Sequence, residues 1–130
     1  MQALRLMTKP LALLAYERMI PGSQLLVKFS DLGYRTEHLS DLGKMIRLAE
    51  ETSPLVIVID LEWRTRDPFL SINSLSLNQQ TAHVPIIAFA DMDSEERLEK
   101  ALNMGASLVT GTDAVLQQLP QLLEQALQID

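Results

Sequence analysis

Two carboxylates stand where apolar runs end. Glu17 follows the run Leu11 to Tyr16, and Asp60 closes the run Leu55 to Ile59. Arg18, Arg64 and Arg66 lie close in sequence to one acid or the other. Groups of these types offer two kinds of chemistry. Carboxylate oxygens bind hard cations, and guanidinium groups form paired, charge-assisted hydrogen bonds to them. Other chemistries lack their parts. There is no Cys nucleophile, no Gly-rich phosphate loop and no metalloprotease His motif. His38 and His83 are isolated, without triad or metal spacing, and read as surface histidines.

The elements that carry these residues alternate between two hydrophobic periods. Leu11 to Tyr16, Leu55 to Ile59 and Ile86 to Ala90 are continuous apolar runs bounded by Pro10, Pro54 and Pro85. Such runs suit strands buried on both faces of a parallel sheet. Tyr34 to Leu39 alternates more, and Ser107 to Thr110 is a short fifth strand candidate. Helical spacing lies between them. Ile20 to Leu32 tolerates Pro21 only in its first turn and stops at Gly33. Leu42 to Glu51 follows Ser40 and Asp41, two good caps. Residues 69–80 are Ser- and Asn-rich and form the weakest helical pattern. Ser94 to Met104 opens with a cap-like Asp93 and ends at Gly105, and Leu116 to Leu127 reads as one amphipathic helix. Strand and helix in alternation imply right-handed βαβ units and an α/β fold.

A chain of 130 residues suits one domain, with residues 1–9 as an N-terminal extension and 10–130 as the folded unit. Apolar residues make up 47% and charged residues 22%, the mix of a globular domain. The 17 acidic against 11 basic residues leave a net charge of −6, which argues against nucleic-acid binding. No run approaches the ~20 apolar residues of a membrane span. The absence of Cys fits a reducing, cytoplasmic location.

Four landmarks in order carry a closer resemblance. Ser53-Pro-Leu-Val-Ile-Val-Ile-Asp60 resembles the third strand of response-regulator receiver domains, which ends in the Asp that accepts a phosphoryl group. Gly33-Tyr34 resembles the dipeptide that closes their first helix. Pro85-Ile-Ile-Ala-Phe-Ala90 resembles their fourth strand, and Ala101-Leu-Asn-Met-Gly-Ala106 the end of their fourth helix. The resemblance implies a flavodoxin-like fold, with a five-stranded parallel sheet in the order 2-1-3-4-5 and helices on both faces. Its site lies at the carboxyl ends of the strands.

The resemblance also exposes what is missing. Receivers carry two acids after the first strand that hold Mg²⁺ with the phosphoacceptor; here the pair is Tyr16 and Glu17. The hydroxyl residue that ends their fourth strand is replaced by Ala90, and the Lys after their fifth strand by Thr112. Tyr16 reads as filling the place of a carboxylate. Glu17 and Asp60 alone would make at most a weak Mg²⁺ site, so no cofactor is expected. Arg18, Arg64 and Arg66 either neutralise the two acids in place of metal or are solvated loop charges. Losing a ligand, a donor and a cation should remove most phosphotransfer, because that reaction works by electrostatic stabilisation. The expected function is therefore a non-catalytic, pseudo-receiver signalling module, not an enzyme, acting by protein contact in a two-component or phosphorelay pathway. The alternative is a working receiver phosphorylated on Asp60 by a histidine kinase.

Two features could serve such contacts. Gln117, Gln118, Gln121 and Gln125 give the last helix a neutral outer face, which costs less to desolvate than a charged one; the same pattern is also ordinary polar surface. Trp63 is either a partner anchor or packing over the pocket mouth. The expected partners are a histidine kinase or effector protein, or a second copy of the chain, with no nucleic acid and no membrane.

Overall fold

A computed structural model describes residues 9–91 and 95–128. All but Lys9 of the expected extension, and the expected cap at Asp93, lie outside the described residues. The chain runs β1 (Leu11–Ala15), α1 (Met19–Asp31), β2 (Arg35–Leu39), a 3₁₀ turn (Leu42–Lys44), α2 (Met45–Thr52) and β3 (Val56–Asp60). It continues through α3 (Pro68–Leu77), β4 (Ile86–Ala90), α4 (Glu95–Met104), β5 (Leu108–Gly111), α5 (Thr112–Gln117) and α6 (Leu119–Leu127). The sheet order is β2-β1-β3-β4-β5, and every pairing is parallel. The expected α/β flavodoxin-like architecture is the observed one.

Period-two alternation divides the apolar strands between two cores. Leu11, Leu13, Ile57, Ile59, Ile86 and Ala88 face α2, α3 and α4. Ala12, Leu14, Val56, Val58, Ile87 and Phe89 face α1, α5 and α6. Both faces are covered, which is why these strands are continuously apolar. The edge strand β2 is mostly exposed and carries Arg35, Glu37 and His38, charges and polarity that discourage edge-to-edge pairing.

Helix boundaries follow local chemistry. Ile20 is extended, as a residue before proline prefers, so regular helix in α1 begins at Pro21. The Ser- and Asn-rich third helix forms over Pro68–Leu77, with the Asp67 carboxylate accepting from the Phe69 N–H at 2.9 Å and Pro68 in the first turn. Gly105 ends α4 at φ +123°, and a Cβ there would lie 2.5 Å from the Ser76 side chain. Only glycine allows that approach of α4 to α3. The single helix expected over Leu116 to Leu127 is corrected. α5 stops at Gln117, Gln118 leaves helical geometry, and α6 restarts at Leu119 with Pro120 in its first turn. Pro120 has no N–H to give to the preceding turn, so one unbroken helix would lose that bond.

Candidate functional site

Parallel strands send all their carboxyl ends to one edge. The register aligns Ala15 with Leu39 and Ile59, Asp60 with Phe89, and Ala90 with Gly111. Residues just past β1, the last residue of β3, and residues just past β4 and β5 therefore converge. This convergence joins Arg18, Asp60, Asp91 and Thr112, which are separated by up to 94 positions in the chain.

Arg18 is the centre of the group. Its Nε donates to Asp60 Oδ2 at 2.8 Å and its Nη2 to Asp60 Oδ1 at 3.0 Å, a two-pronged pair. The Glu62 backbone N–H also donates to Asp60 Oδ1, at 2.9 Å. Arg18 Nη1 reaches Asp91 Oδ1 at 3.3 Å, and Nη2 lies 3.5 Å from Thr112 Oγ1. The Thr112 hydroxyl donates to Asp91 Oδ1 at 2.8 Å. Asp60 is 0% exposed, while the Arg18 side chain is 29% exposed. An open cleft of about 570 Å³ lies above, lined by Arg18, Asp91, Glu17, Arg64, Glu62 and Arg97. Asp60 meets this cleft through the guanidinium.

Glu17 points elsewhere. One of its oxygens accepts from the Arg64 backbone N–H at 2.6 Å, and the other from the Thr65 hydroxyl. The hydrogen bond from the Arg64 backbone, then that from Thr65, holds its carboxyl below the ordinary glutamate range. Glu62 is gripped by Arg97 through Nη1 at 2.7 Å and Nη2 at 2.9 Å, and accepts from the Asp91 N–H at 3.1 Å. Burial pushes the Glu62 carboxyl up, but the Arg97 bonds and the Asp91 N–H outweigh it and lower the value. The Thr112 hydroxyl, and then the charge of Arg18, lower Asp91. Burial pulls Arg18 down, and Asp60 and Asp91 more than reverse this, so the guanidinium stays charged. Arg66 takes no part, since its charge pairs with Asp41 at 3.7 Å.

Tyr16 is 2% exposed and stacks on His38, with ring centroids 3.9 Å apart and planes at 10°. His38 Nε2 donates to the Tyr16 carbonyl oxygen at 3.1 Å, so the exposed His38 is tied to the strand end beside the site. Gly22 makes room for the ring, since a Cβ there would lie 2.1 Å from Tyr16 ring carbons. Ala90 is fully buried at the end of β4 and offers no donor. Trp63 is half-buried against the α2–α3–α4 core, with its indole N–H buried and without an acceptor among the described residues. That position suits packing at the cleft edge better than an exposed anchor. Gln117, Gln118, Gln121 and Gln125 are all exposed, but they divide between α5, the break and α6. His83 is exposed.

The residues do not fit a divalent ion as they are arranged. Both oxygens of Asp60 accept from N–H groups, and both oxygens of Glu17 are bound to the loop after β3. The two acids paired in the sequence reading are not joined. Among the described residues, no three acidic or His side chains form a metal-binding group. One guanidinium, that of Arg18, meets both Asp60 and Asp91. Asp91 and the Glu62–Arg97 clamp were not anticipated. Asp91 had a signal, since it directly follows an apolar strand as Glu17 does. Glu62 and Arg97 are 35 positions apart and had none.

No family model and no curated protein matches the sequence. Solved structures do match. The receiver domain of the sensor histidine kinase PA1611 from Pseudomonas aeruginosa PAO1, which holds a magnesium ion in its active-site cleft, superposes with a TM-score of 0.82 at 19% identity. The match covers 92% of this chain and 98% of that one. The receiver domain of NtrX from Brucella abortus gives 0.79 at 16%, covering 92% and 99%. The chemotaxis response regulator CheY4 of Vibrio cholerae gives 0.73 at 18%, covering 88% and 98%. At these identities the likeness is one of fold: this chain has the fold of response-regulator receiver domains.

Proposed function

We propose that this chain is a receiver-fold signalling module of a two-component or phosphorelay pathway that acts by protein contact without phosphorylation of Asp60. One observation carries this reading: Asp60 is fully buried, and both its oxygens are engaged by Arg18 at 2.8 and 3.0 Å. To accept a phosphoryl group, an Asp60 oxygen must direct a lone pair at phosphorus from the cleft side, where the guanidinium sits. The incoming equatorial oxygens would then need donors and cations to take up their charge. Ala90 supplies none, and the Thr112 hydroxyl is turned to Asp91. A cytoplasmic location and a histidine kinase or effector as partner belong to this reading.

Acetyl phosphate or phosphoramidate with excess Mg²⁺ should leave the intact mass unchanged and the oligomeric state unaltered. A gain of one phosphoryl group, abolished in Asp60→Ala, would replace this reading with that of a phosphorylated receiver.

A further inference from the structure

The group that meets Asp60 is part of the chain, and it meets a second carboxylate as well. We propose that the Arg18 guanidinium is the built-in cation of this site. It neutralises Asp60 and Asp91 together, closes the site to divalent metal, and does the tying work that a bound ion would do. Three observations support this. Asp60 ends β3 and Asp91 follows β4, so the two carboxylates come from adjacent strand ends and face the same guanidinium. Thr112, which opens α5 beyond β5, completes the ring through its hydroxyl. Glu17, the acid nearest Arg18 in sequence, has both oxygens bound to the loop after β3 and does not enter.

Arg18 therefore ties the chain beyond β1 to the ends of β3 and β4 and the start of α5. A diffusible ion would do this only when bound. The tethered cation does it at every ion concentration. Its removal leaves two carboxylates, one fully buried, facing an open cleft. Hard oxygen ligands of that kind admit a divalent ion that keeps several of its own waters. The inference uses the same ion pair as the functional reading but does not depend on it, because metal occupancy is measured without a phosphoryl donor.

The test is thermal unfolding of the full chain, followed by the fluorescence of its single tryptophan, in MgCl₂ against KCl of matched ionic strength. The wild-type midpoint should not respond to Mg²⁺. Arg18→Ala should melt lower and rise by about 5 °C in Mg²⁺ at ten times its dissociation constant. The double variant Arg18→Ala with Asp60→Asn should lose that rise. Mn²⁺ binding, read as loss of the free-ion electron paramagnetic resonance signal, should appear only in Arg18→Ala. If Arg18→Ala does not fold, Arg18→Gln is titrated in the same way. A wild-type response equal to that of the variant would overturn the proposal, as would absence of a response in every Arg18 variant.

Discussion

Arg18 reaches water and Asp60 does not, with side-chain exposures of 29% and 0%. Removing either partner should therefore cost different amounts. Arg18→Ala leaves the buried Asp60 carboxylate with the Glu62 N–H as its one remaining donor among the described residues, and breaking a buried pair in this way costs about 3–5 kcal/mol. Asp60→Asn keeps an acceptor and leaves Arg18 free to turn to Asp91 and the cleft, so its cost should be about 1–2 kcal/mol. Urea denaturation of both variants checks the order, and equal losses would mean that the pair is not buried as described. Tyr16 shows the same dependence on surroundings. Its type was legible as a replacement for an acid, but the stack on His38 and the space left by Gly22 required the fold.

At the scale of elements, the break at Gln118 changes how the neutral face is presented. Gln117 ends α5, while Gln121 and Gln125 lie one turn apart on α6 and share a stripe. Leu119, Leu123 and Ala126 bury the opposite side of α6, so substitutions on the stripe leave the core intact. If this face carries self-association, Gln121→Lys or Gln125→Glu should weaken it by about fivefold or more, since a like charge repeated across a two-fold contact repels. Sedimentation velocity over a concentration series checks this, and variants that associate as strongly as wild type would remove the face from that role. The apolar spacing runs on through Pro120, but the backbone hydrogen bonds do not.

At the scale of the molecule, the carboxyl ends of the strands bring several acidic groups to one edge of the sheet. Glu17, Glu62 and Asp91 all have values lowered by folding. A carboxyl lowered in the folded state adds stability that is fully present above its unfolded value and is lost as pH falls through the folded one. Unfolded carboxyls titrate near ~4. The melting midpoint should thus hold level from neutral pH to about 5 and fall progressively below about 4 as these groups are forced to protonate. A pH series of thermal melts checks the window. A loss completed between pH 7 and 5 would assign acid sensitivity to other groups.

Residue pattern alone made the α/β class and the convergence of strand ends legible, while the strand order came from the resemblance to receiver domains. Continuous apolar runs of strand length can be covered only on both faces, and parallel strands with helical crossovers put every carboxyl end on one edge. Set against that resemblance, the residue types at Ala90 and Thr112 also showed a missing donor and a missing cation. The pairings were decided only in three dimensions. Arg18, Arg64 and Arg66 were equivalent along the chain, yet one grips Asp60, one gives its backbone N–H to Glu17 and one pairs with Asp41. Which cation meets which acid depends on reach between segments 25 or more positions apart, and no local pattern encodes that distance.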